Sequence, residues 1–94
     1  MQFNLTGKHL DISDTMREAV STMLERLEKR YPMVSSANVI LHTERHEKIA
    51  EATLQVSGFA DIHGSCRHED MYHALKLLEE VLDKQLLKTK EKDK

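Results

Sequence analysis

Between Ala50 and Val56 every second residue is apolar: Ala50, Ala52, Leu54 and Val56 alternate with Glu51, Thr53 and Gln55. A strand sends successive side chains to opposite faces, so this segment buries one face and leaves the other in water. It therefore calls for a second layer on one side only. Neighbouring segments obey the same rule. In "ANVILHT", residues 37–43, Ala37, Val39 and Leu41 share a face; in "DIHGSC", residues 61–66, Ile62, Gly64 and Cys66 oppose His63 and Ser65; in "QFNLT", Phe3 and Leu5 alternate with polar residues. The polar "ERHEK" suits a hairpin connection, and Ser57-Gly58 a turn.

Two other segments change period. Met16, Val20, Met23 and Leu27, widened by Leu24, recur at helical spacing behind a cap at Ser13 or Asp14, and Tyr31-Pro32 ends the run. A second helix beginning near Asp70, its N-cap, carries Met71, Leu75, Leu78, Leu82 and Leu86. The order is β-α-β-β-β-α. A helix between the first two strands implies a crossover between parallel neighbours, and the short connections that follow imply an antiparallel meander. The expected fold is α+β, a two-layer sandwich of a four-stranded mixed sheet with both helices on one face. Its open face would present Thr53, Gln55, His63 and Ser65 with hardly any aromatic residue, which is no stacking platform for single-stranded RNA. A nucleic-acid site belongs on the helices.

The 94 residues suit one domain, 1–94, with a lysine-rich end at about 89–94 expected to fray. No apolar run approaches a membrane span, and "MQFNLTGKHL" lacks the pattern of a secretory leader, which points to the cytoplasm. A lone cysteine forms no internal disulfide.

Charge is informative by position. The chain carries −2, yet its last eleven residues hold Lys84, Lys88, Lys90, Lys92 and Lys94 against Glu91 and Asp93; that local +3 leaves −5 on residues 1–83. A solvated helix end whose cations favour the negative pole of the helix dipole would account for a lone lysine tail. A second basic cluster, Arg26, Lys29 and Arg30, sits on the other helix of the same layer and weakens that account. Together the clusters could line a groove for phosphates. Arg17 falls about 180° from Arg26 and faces another part of any partner.

Other reactive types carry less. His42 and His46 fall on a strand and its turn, where i, i+4 spacing does not assure one metal face. His63, Cys66 and His68 include a thiol, but its parity with Ile62 marks Cys66 as buried and inert. Tyr72 suits packing at the sheet edge as well as stacking on a base. No phosphate loop, zinc spacing or nucleophile elbow occurs, so no cofactor, metal, small-molecule substrate or catalytic residue is expected.

"RHEDMYHAL", preceded by "IHGS" and followed by "KQLLK", closely resembles the ribosome hibernation factors, the family of ribosome-associated translation inhibitors and sigma-54 modulation proteins. "QFNLTGKHLDIS", Met16-Arg17 and "LERLEKRYP" extend the resemblance over almost the whole chain. It implies a fold similar to double-stranded-RNA-binding domains and a site in the small-subunit channel where messenger and transfer RNAs meet 16S ribosomal RNA. The family's basic positions match Arg17, Arg26, Lys29, Lys84 and Lys88, with Lys90 and Lys92 extending the row and Arg30 beside Lys29; one typical basic position is Val81 here. Ending at Lys94, the chain resembles the family's short form, which implies inactive 100S ribosome dimers and cooperation with a ribosome modulation factor. The competing expectation is a regulator whose basic helix ends contact an acidic protein.

Overall fold

The structure, a computed structural model, describes residues 1–92. Its elements are β1 (Gln2–Lys8), α1 (Asp14–Arg30), β2 (Val34–Glu44), β3 (Glu47–Val56), β4 (Ile62–His68) and α2 (Met71–Lys92). The strands lie in the order β1-β2-β3-β4, the first pair parallel and the other two pairs antiparallel. The β-α-β-β-β-α mixed sheet inferred from the alternation is therefore the observed fold. No described helix is long and apolar enough to cross a membrane. The lysine-rich end remains helical through Lys92, while Lys94 and the last part of the expected fraying lie outside the described residues.

Each inward strand face meets a helix stripe. Val20, Met23, Leu24 and Leu27 of α1, and Leu75, Leu78, Leu82 and Leu86 of α2, form one cluster with Val39, Leu41, Ala50, Ala52 and Leu54 of the central strands. Small residues on β3 and Gly64 on β4 let α2 approach the sheet. A Cβ at Gly64 would lie 3.1 Å from Leu82, 3.2 Å from Leu78 and 3.4 Å from Val81. The strand's glycine is thus a packing requirement of α2.

The strands run longer than alternation alone suggests. β2 begins at Val34 and β3 at Glu47, so the connection contracts from "ERHEK" to Arg45-His46, with Arg45 in the left-handed region at φ 58°. Tight two-residue hairpins require such a residue. This pairing sets Glu44 opposite Glu47, a like-charge contact. Arg67 on β4 answers both, at 3.8 Å from Glu44 and 3.2 Å from Glu47. Backbone pairing plus one arginine thereby extends strands through residues that read as loop.

The structure adds one buried residue and corrects one burial expectation. Ile49 occupies the nominally open face yet is only 2% exposed, lying between His42 and Arg67 in the sheet register. Cys66 shares the inward parity of Ile62 and Gly64, but it is only partly buried. β4 is an edge strand, so one flank of the thiol has no strand beside it. Partial burial, reinforced by the nearby Glu80 carboxylate, still pushes the Cys66 thiol above its ordinary pKa.

Two outcomes follow from this packing. Gly64→Val should destabilise the fold by about 1–3 kcal/mol in denaturant titrations, because α2 must move off β4; Gly64→Ala should cost less. A thiol reagent should modify native Cys66 more slowly than the denatured chain, with the reaction's pH midpoint displaced upward, since the neutral thiol is favoured. Identical native and denatured pH profiles would contradict that environment.

Candidate nucleic-acid interface

The helix caps set where the basic side chains emerge. Ser13 Oγ accepts from the Met16 amide at 3.1 Å, and the Tyr31 amide donates to the Leu27 carbonyl at 2.8 Å. Between these ends α1 buries its apolar stripe and turns one flank to α2. Arg26 and Arg30 lie on that flank one turn apart; Glu79 and Asp83 face them with the same spacing. Arg26 donates from Nε to Glu79 Oε2 at 2.9 Å and from Nη2 to Oε1 at 2.6 Å. Arg30 donates from Nη1 to Asp83 Oδ2 at 3.1 Å. The result is a two-rung ladder of ion pairs across the helix seam.

The guanidiniums are the outer members of these rungs. Side-chain exposure is 56% for Arg26 against 22% for Glu79, and 66% for Arg30 against 30% for Asp83. Hydrogen bonding to Glu79 raises the Arg26 pKa further, partly opposed by desolvation. At this exposure each rung contributes only about 0.2–1 kcal/mol to folding, so the ladder's main effect is on the charge that a partner meets. Below it, Tyr31 O–H donates to the Asp83 backbone carbonyl at 3.4 Å. Burial and the adjacent Asp83 push that phenol upward in pKa.

Two shallow cavities follow the seam. One of about 280 Å³ has Ala19, Met23 and Leu75 as its apolar lining, with Arg26, Lys76, Glu79 and the half-exposed Tyr72 around them. The next, about 220 Å³, is lined by Arg30, Lys76, Glu79, Glu80 and Asp83. Lys76 borders both, although it belongs to neither sequence cluster. Its only linear signal is its place on the polar side of α2, three and four residues before Glu79 and Glu80.

The other cations lie elsewhere on the helical layer. Lys84 and Lys88 are exposed and fall about 140° and 180° around α2 from Glu79, away from α1. Lys92 continues this row. On that side Gln85 Nε2 donates to the His63 carbonyl at 2.9 Å, and Val81 packs beside Gly64. The position where the family resemblance implied a cation is therefore apolar and half-buried. Lys90 lies about 20° from Asp83, on the α1 side. Lys29 points outward from α1, and Arg17 occupies its far flank, about 180° from Arg26. The two clusters share one layer but do not form facing walls of one groove. Glu79 and Asp83 stand between them.

The remaining candidate groups have local tasks. Asp70 Oδ1 accepts from the Tyr72 amide at 3.0 Å, the expected cap of α2. His68 Nδ1 accepts from the Asp70 amide at 3.0 Å, and its ring stacks 4.1 Å from that of His73. On the outer sheet face His63 pairs with Thr53 at 3.0 Å, and His42 approaches Glu51 at 3.8 Å. Among the described residues no three metal-ligating side chains converge.

Both the sequence and the fold have counterparts among known proteins. The chain is 44% identical to the ribosome hibernation promoting factor of Azotobacter vinelandii over 98% of its own length and 85% of the relative's. It is 36% identical to that of Escherichia coli K12 over 98% and 96% of the two chains. The structure is similar to a ribosomal subunit interface protein from Coxiella burnetii, with a TM-score of 0.90, 31% identity, and coverage of 96% of this chain and 98% of that one. Residues 3–94 match the family model described as Sigma 54 modulation protein / S30EA ribosomal protein, and the chain belongs to that family.

Proposed function

We propose that this protein is a ribosome hibernation factor, a non-catalytic inhibitor whose 94 residues act as one ribosome-binding unit in the cytoplasm. The observation that carries the reading is a rigid sheet holding a helical layer from which Arg17, Arg26, Lys29, Arg30, Lys84, Lys88, Lys90 and Lys92 all emerge to solvent. Such cations neutralise RNA phosphates and release counterions, whereas the polar sheet face offers no aromatic platform for unpaired bases. The relatives named for ribosome hibernation and for the ribosomal subunit interface support the same partner. The small subunit and its 16S ribosomal RNA are that partner, with Lys76 an added contact in the seam.

Inhibition then follows from volume. A folded domain held by phosphates in the messenger and transfer RNA channel excludes those ligands without chemistry on the RNA. Formation of inactive 100S dimers, with a ribosome modulation factor as second component, belongs to the same proposal. A domain that instead used its basic helix ends on an acidic protein would not sediment with purified small subunits.

Co-sedimentation with small subunits over a salt series tests the site. Binding should weaken steeply with salt, and Lys84→Glu with Lys88→Glu should both weaken it and flatten the slope by about two counterions, with folding unchanged. Wild-type affinity in this variant would remove the outer flank of α2 from the interface. Occlusion has a separate measurement: subunits preloaded with messenger and initiator transfer RNA should bind the protein far more weakly than vacant ones, in a competitive manner. Equal affinity for both would exclude a shared channel.

A further inference from the structure

The ladder across the α1–α2 seam places a carboxylate against each of two cations that the ribosomal reading needs. Arg26 commits Nε and one face of Nη2 to Glu79, which leaves Nη1 without a partner among the described residues. Arg30 commits Nη1 to Asp83. An approaching phosphate would therefore meet a nearly neutral pair, and its attraction to the guanidinium would be offset by the carboxylate beneath. Releasing an arginine has a further cost at Asp83, whose Oδ1 is already buried without a hydrogen-bond partner. If Arg30 moved away, Oδ2 would lose the guanidinium as its donor. Lys84 and Lys88 differ in kind, since neither has an acidic partner within salt-bridge distance among the described residues.

We propose that Glu79 and Asp83 are built-in competitors for the RNA phosphates, holding Arg26 and Arg30 partly neutralised and setting the affinity of this face below the value its cations would otherwise give. This rests on the ribosomal reading and adds to it an autoinhibitory contact within the protein. The outer lysines of α2 give the unrestrained part of the attraction, and the seam gives a restrained part. A reversible inhibitor benefits from that division, because complete neutralisation of every cation by RNA would slow its release.

The test compares the wild type with Glu79→Gln/Asp83→Asn, with Glu79→Gln alone, and with a control of equal charge change, Asp61→Asn/Glu69→Gln. Asp61 and Glu69 are exposed and make no ion pair among the described residues. The side-chain amide introduced by Glu79→Gln retains an acceptor for Arg26, so geometry is kept while the competing charge goes. Binding to small subunits and to immobilised heparin, a polyanion independent of the ribosome, is measured over a salt series with thermal unfolding as a fold check. Glu79→Gln/Asp83→Asn should bind subunits roughly tenfold more tightly than the charge-matched control and steepen the salt slope by about two; Glu79→Gln alone should give about half that steepening. On heparin the same order of elution is expected.

A folded seam variant that binds no more tightly than its control on either matrix overturns the proposal. Weaker binding also overturns it, and makes the carboxylates positioning groups for the arginines. If the seam effect persists on heparin while no form of the protein binds small subunits, the competitor role stands and the ribosomal reading falls.

Discussion

The approach of α2 to β4 over Gly64 is the contact on which the helical layer depends. With no Cβ at that position, Leu78 and Leu82 sink against the strand and their buried stripe fixes the rotation of the whole helix. Once the stripe is committed, the remaining side chains have no freedom of direction. Glu79 and Asp83 turn to α1, Lys84 and Lys88 turn away from it, and Val81 falls between helix and strand. A packing interaction between hydrocarbon groups therefore decides the electrostatic pattern that a polyanion encounters.

That pattern is more graded than a basic patch. The seam presents guanidiniums already bonded to carboxylates, while the outer flank of α2 presents ammonium groups with no carboxylate within salt-bridge distance among the described residues. These differ in what they offer a phosphate, although a formal count gives each the same charge. On the proposed reading, the distinction also accounts for RNA binding by a chain with net charge −2: attraction at contact distance depends on the few charges nearest each phosphate, and screening removes most of the rest within about 10 Å. Arg67 has a comparable place at the β2–β3 hairpin, where it pairs with both Glu44 and Glu47. Both seam and hairpin use arginine to reconcile backbone packing with acidic neighbours.

The architecture was legible because it is written in short periods. Ala50, Ala52, Leu54 and Val56 mark a one-sided strand, Leu75, Leu78, Leu82 and Leu86 mark a helix stripe, and Ser13 and Asp70 mark helix starts; each signal lies within a few residues and reflects local geometry. Ile49 and Cys66 were harder. Parity states which face a side chain takes but not what stands beside it, so Ile49 is covered on the open face and Cys66 is partly bare on the closed one. The hairpin ends misled for a related reason, since Glu44 and Glu47 read as loop until Arg67 arrives from a third strand.

The candidate site divides along the same line. Residue order by itself determined the fold class, the two amphipathic helices, the cationic residues and the resemblance to the family, because these depend on composition and on neighbours close along the chain. Only the tertiary structure decided which cations are free and which are held. Arg26 and Glu79 are 53 positions apart, as are Arg30 and Asp83, and no local period links them. Their meeting requires two helices to pack on one sheet face at a given rotation, a result of the whole core. The same packing brought Lys76 into the seam and turned Lys84 and Lys88 to the far side, so the function's electrostatics became readable only after the hydrophobic contacts had been placed.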